Sequence, residues 1–159
     1  DWSSDVCSSD LYDGVEFLIS TNPCEPLRPM AKIASGGEIS RIMLAFKHII
    51  GSSDSVETMI FDEIDTGISG KTALVVGHKL SEIANHRQIL CITHLPQIAA
   101  SGDDNFSIEK EISDGKSHTV IEHLDESGKL EMLARLISGA PDSSNALEAA
   151  RELVASVKQ

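Results

Sequence analysis

The chain has 159 residues, 41 % of them hydrophobic and 24 % charged, enough for one domain with a substantial core and too apolar for a disordered tail. No apolar run approaches the ~20 residues that span a bilayer, and no charged-then-apolar leader with a cleavage site is present, so a cytoplasmic protein with no membrane partner is expected. The net charge is −12, with 13 basic residues scattered among 25 acidic ones, which weighs against this chain by itself being a surface for nucleic-acid phosphates.

The first ten residues, DWSSDVCSSD, have no periodicity and no basic side chain. Residues 1–11 therefore read as a disordered or non-native leader, such as a translated adapter, ahead of a single lobe over 12–159. Val15–Ser20 reads as a strand, broken by Asn22-Pro23-Cys24-Glu25-Pro26 and a second Pro-marked loop near Pro29. A helix follows Ser35-Gly36-Gly37-Glu38 and runs to about Ile50, with Ile39, Ile42, Met43, Phe46 and Ile49/Ile50 as its apolar face. Thr58–Phe61 suits a buried parallel strand. Next come a helix over 71–85, a strand over 88–93 and a short helix over 96–100. A hairpin is expected at 106–111 and 118–124 around Asp114-Gly115. Two amphipathic helices end the chain, striped by Leu130, Leu133, Ala134 and Ile137, then by Leu147, Ala150, Val154 and Val157. Strand–helix–strand alternation indicates an α/β fold, with a parallel sheet flanked by helices.

Three cysteines (Cys7, Cys24, Cys91) and six histidines show no ligand spacing, so free thiols are expected and no metal cluster. Chemistry concentrates elsewhere. Ser35 followed by Glu38 makes an ordinary capping box. Two glycines in the first turn go beyond that, because Gly is a poor helix former and its use there implies close backbone approach. A helix N-terminus with bare N–H groups and a Ser hydroxyl suits a phosphate.

Asp62 and Glu63 end a hydrophobic strand, at the sheet edge where α/β proteins bind ligands. Successive residues point oppositely, so the two acids take different roles. Asp62 suits Mg2+ held through water, and Glu63 suits a general base polarising a water. A loop start with solvated acids is the plain alternative. His94, after the strand 88–93, is by itself more consistent with a structural histidine than with a catalytic one. Gly67-Ile68-Ser69-Gly70-Lys71-Thr72 ends like a P-loop, but GxxxxGK[ST] needs Gly where Asp65 stands. Lys71 and Thr72 read as a helix start.

Three stretches carry a resemblance: Ser20-Thr21-Asn22-Pro23 to Leu27, Ala31 to Arg41 around Ser-Gly-Gly-Glu, and Ile60-Phe61-Asp62-Glu63-Ile64-Asp65-Thr66-Gly67-Ile68-Ser69-Gly70. With His94 in order behind them, residues 12–159 resemble the RecN family, ATP-binding-cassette ATPases with SMC-like heads. The resemblance implies the C-terminal half of such a head. Ser35, Gly36, Gly37 and Glu38 would be the signature motif, capping ATP on the opposite subunit. Asp62 and Glu63 would be the Walker B acids, Asp65 would lie in the D-loop at the dimer interface, and His94 would be the switch histidine on the γ-phosphate. It further implies ATP and Mg2+, a P-loop half of the head as partner, a second head in a homodimer, and recombinational repair of DNA double-strand breaks at the nucleoid, with DNA held by the complete protein. Without a P-loop, hydrolysis by these 159 residues alone is not expected. Two other readings share these motifs: a non-hydrolysing head–head interaction module, and a piece of a RecF-like or SMC ATPase.

Overall fold

The computed structural model describes residues 15–157 apart from 21–23, 33–34, 51–55, 114 and 140–143, so the expected leader over 1–11 lies outside the described residues. The chain divides into two compact units, Asp1–Ser35 and Gly36–Gln159.

In the first unit, β1 (Leu18–Ile19) pairs antiparallel with β2 (Arg28–Pro29), Leu18 opposite Pro29. The strand expected over 15–20 shrinks to two residues. Proline has no N–H for a ladder, and pairing passes instead to Met30, whose N–H donates to the Phe17 carbonyl at 2.8 Å.

The second unit runs α1 (Gly36–Ile50), β3 (Thr58–Phe61), α2 (Gly70–Ala84), β4 (Gln88–Cys91), α3 (Pro96–Ser101), β5 (Asn105–Ser113), β6 (Lys116–Leu124), α4 (Glu126–Ser138) and α5 (Ser144–Val157). β3 and β4 are parallel, in register from Thr58 opposite Gln88 to Phe61 opposite Cys91, and α2 is the crossover between them. β5 and β6 form the expected hairpin, with Gly115 at φ +71° in its turn. The fold is mixed α/β, as the sequence pattern indicates.

Alternation along β3 decides what the parallel pair buries. Met59 and Phe61 point into a core with Leu44 of α1, Ala73, Val76, Leu80 and Ile83 of α2, and Ile98 of α3. Ile60 points the other way and is 70 % exposed, and Leu90 and Ile92 are exposed as well. A second core joins α3, α4 and α5 through Ala100, Leu133, Ala134, Ala146 and Ala150. Its alanines let helices approach closely where aromatics, 4 % of the chain, are scarce.

The expected apolar face of α1 is only partly turned inward, with Ile42 and Phe46 half-buried. Ile39, Met43, Ile49 and Ile50 are exposed, whereas Gly37 and Leu44 are buried. The inward stripe is Gly37, Arg41 and Leu44, spaced as one helical face requires, and the exposed His48 continues that line at the far end. Close packing of the helix start, not its aliphatic content, sets the rotation. At the other end His48 meets Lys79 at 3.2 Å and Glu82 at 3.5 Å on α2.

Candidate active site

The chain leaves β3 at Phe61 and enters a tight loop, with Asp62 and Glu63 exposed and Ile64 and Asp65 buried. Asp62 Oδ1 accepts the N–H of Glu63 at 2.9 Å, and the Glu63 carbonyl accepts the N–H of Thr66 at 3.1 Å. This turn forces Glu63 to φ +56°, the one positive φ outside glycine among the described residues. Such a backbone costs of order 1–3 kcal/mol and persists where its surroundings over-determine it.

Helix α1 supplies the surroundings. Ser40 Oγ donates to the Asp62 carbonyl at 3.0 Å. Arg41 Nη1 donates to the Ile64 carbonyl at 3.0 Å and to the Thr66 carbonyl at 2.8 Å. The two glycines make this approach possible. A Cβ on Gly36 would stand 2.8 Å from Glu63 Oε2, and one on Gly37 would stand 2.8 Å from the Glu63 carbonyl oxygen. The close approach that the sequence implied is therefore made, within the chain, to the acidic loop itself. Gly36, Gly37 and Glu38 form the first turn of α1, while Ser35 ends the other unit.

A second cluster lies one strand over. Asp65 is 3 % exposed, and its Oδ2 accepts from Thr93 Oγ1 at 2.6 Å and from the His94 N–H at 2.8 Å. The same oxygen sits 2.9 Å from His94 Nδ1. Burial alone would raise the Asp65 carboxyl, but the Thr93 hydroxyl, the His94 N–H and the His94 ring hold it below the ordinary carboxylate range. A carboxylate on Nδ1 orients the imidazole, whose side chain is otherwise 70 % exposed. The structure thus joins Asp65 to His94, a link that sequence separation conceals.

Cys91, on the inner face of β4, is pushed up to about 11 by burial and by the nearby Asp65 and Asp62 carboxylates; it stays a neutral thiol and no nucleophile. Lys71 and Thr72 occupy the first turn of α2, after Gly70 at φ +52°, in line with a helix start. Among the described residues no group of three or more His, Cys, Asp or Glu side chains gathers to hold a metal. Mg2+ is held by one or two carboxylates together with its own waters and phosphate oxygens, and Asp62 offers one exposed carboxylate at the strand end.

Sequence reasoning gave no role to Ser40, Arg41 or Thr93. Their contacts reach 22 to 28 residues along the chain, and the only local hint was that Arg41 lies one turn beyond Gly37.

No family model matches the sequence. It is 47 % identical over 143 residues to the DNA repair protein RecN of Treponema pallidum, covering 90 % of this chain and 25 % of that protein. RecN of Bacillus subtilis is 44 % identical over 147 residues, covering 92 % and 26 %, and RecN of Vibrio cholerae is 44 % identical over 143 residues, covering 90 % and 26 %. Among solved structures, a chain from work on ATP-driven dimerization and DNA-stimulated activation of SMC ATPases aligns with a TM-score of 0.48 and 22 % identity, over 76 % of this chain and 80 % of that one. At that score the likeness carries no argument, and the fold stands on the elements described above. The chain is similar in sequence to these RecN proteins, spanning about a quarter of the length of each of the relatives it matches.

Proposed function

We propose that the chain supplies the C-terminal half of an ATP-hydrolysing, SMC-like head that acts in recombinational repair of DNA double-strand breaks. The observation that carries this reading is the arrangement around Glu63. An exposed acidic residue stands at the C-terminal end of a parallel strand, in a strained backbone, with its carboxylate against Gly36 and its carbonyl against Gly37 at the opening of a helix.

In this reading Glu63 is the general base that takes a proton from the attacking water. His94, with Nδ1 engaged by Asp65, turns its outer nitrogen toward the γ-phosphate. Asp62 is the residue that would hold Mg2+, which would supply charge neutralisation on the phosphates. Gly36, Gly37 and Glu38, with Ser35 before them, cap the phosphate of ATP bound on a second head, and the Asp65 loop lies at the junction of the two heads. A P-loop must cradle the other phosphates. None occurs in these 159 residues, so it comes from another segment of the full-length protein. The apolar outer face of β3–β4, with Ile60, Leu90 and Ile92 exposed, supports further protein packing there. DNA is held by the complete protein, because this acidic segment repels phosphates. The place of action is the cytoplasm, at the nucleoid.

The test is Glu63→Gln in a full-length protein carrying this sequence. ATP should bind, turnover should stop, and the two heads should remain together in a nucleotide-dependent dimer. Unchanged turnover would remove Glu63 from the role of base and leave a docking module as the better account.

A further inference from the structure

The geometry points to Arg41, backed by Ser40, as a positioning residue for Glu63; the inference rests on the reading of Glu63 as general base. The acidic loop presents its carbonyls at Asp62, Ile64 and Thr66 to α1, and all three are taken by two consecutive side chains of that helix. Arg41 does most of this work, because a single nitrogen, Nη1, bridges Ile64 and Thr66. Between those bonds sits Glu63, whose left-handed backbone aims its carboxylate back at Gly36. Remove the bridge and the loop is free to relax toward an ordinary right-handed conformation. The carboxylate would then move away from the helix start.

Arginine suits the task and lysine does not. A guanidinium nitrogen carries two N–H groups in a fixed plane at the end of a long stem, whereas an ammonium is a compact point donor on a shorter one. Because Gly36–Glu38 open the same helix, the bridge also ties the proposed phosphate cap to the base. A displacement of one carries the other. Arg41 thus acts through the loop, without touching the nucleotide.

The experiment compares steady-state ATP turnover of the full-length protein with its Arg41→Met, Arg41→Lys, Ser40→Ala and Glu63→Gln variants, together with nucleotide-binding stoichiometry. Arg41→Met should lower kcat about 10- to 100-fold, the range expected when a reacting group is misplaced by an ångström or less. KM for ATP and the number of sites filled should stay unchanged. Ser40→Ala should do the same more weakly. If Arg41→Met fails to fold, Arg41→Lys carries the test, since it keeps the charge and loses the two-carbonyl bridge. Wild-type kcat in a folded Arg41→Lys and Arg41→Met overturns the proposal, as does a loss of activity that only tracks the fraction of filled sites. Full turnover in Glu63→Gln would instead refute the reading of Glu63, and this proposal with it.

Discussion

The two glycines at the start of α1 make opposite predictions when each is replaced by alanine. At Gly37 the new Cβ would meet fixed atoms: the Glu63 carbonyl oxygen at 2.8 Å, the Thr66 Cβ at 2.9 Å and Arg41 Nη1 at 3.1 Å. Overpacking of this kind costs about 1–3 kcal/mol, and alanine returns up to ~1 kcal/mol of helix propensity. With a backbone oxygen and the Thr66 Cβ both under 3.0 Å, the upper part of that cost, ~2–3 kcal/mol, applies. The net loss should therefore be about 1–2 kcal/mol, or a roughly 5- to 30-fold larger population of the opened state. At Gly36 the Cβ would meet only the end of a flexible side chain, Glu63 Oε2 at 2.8 Å. The carboxylate can swing aside, so stability should hold or rise slightly while ATP turnover falls. Hydrogen exchange of the α1 and β3 amides in the full-length protein reads the first effect, and steady-state turnover the second. Exchange unchanged in Gly37→Ala, or full turnover in Gly36→Ala, would refute the claim that α1 is docked on the acidic loop.

Two further predictions concern stability. Leu133 is 1 % exposed at the centre of the α3–α4–α5 core, so Leu133→Ala should cost ~2–5 kcal/mol, read as faster exchange across α4 and α5; a change under ~1 kcal/mol would contradict that packing. The depressed Asp65 carboxyl contributes stability that is fully present above its unfolded value of 3.8 and is lost as pH falls through the lower folded value. The gap in urea midpoint between wild type and Asp65→Asn should therefore be steady near neutrality and shrink as pH drops below 3.8. A gap that persists undiminished into strong acid would mean that the carboxylate bonds to Thr93 and His94 do not stabilise the fold.

The elements that sequence conveys well here are those with strong punctuation. Gly115 at φ +71° closes the hairpin, where the turn residues were visible. β3, β4 and α2 were legible because apolar runs alternate with a helical period. The rotation of α1 was not. Ile39, Met43 and Ile49 face outward and Ile42 and Phe46 are only half-buried, because a glycine, an arginine and Leu44 make the inward contacts. Hydrophobic pattern cannot weigh a helix that docks through missing side chains. The candidate site divides in the same way. Glu63, Asp62 and His94 were visible from strand ends, whereas the bonds of Asp65 to Thr93 and His94, and of Arg41 to the loop, exist only after β3, β4 and α1 are brought together.

The central claim is that each site joins Glu63 of one head to Ser35–Glu38 of another, and a mixing experiment tests it most directly. Full-length Ser35→Arg and full-length Glu63→Gln should each fail to hydrolyse ATP alone. Mixed, they should regain turnover, because a dimer of one with the other restores a site holding an intact Glu63 and an intact signature. Continued inactivity in a mixture shown to form mixed dimers would contradict the shared-site account.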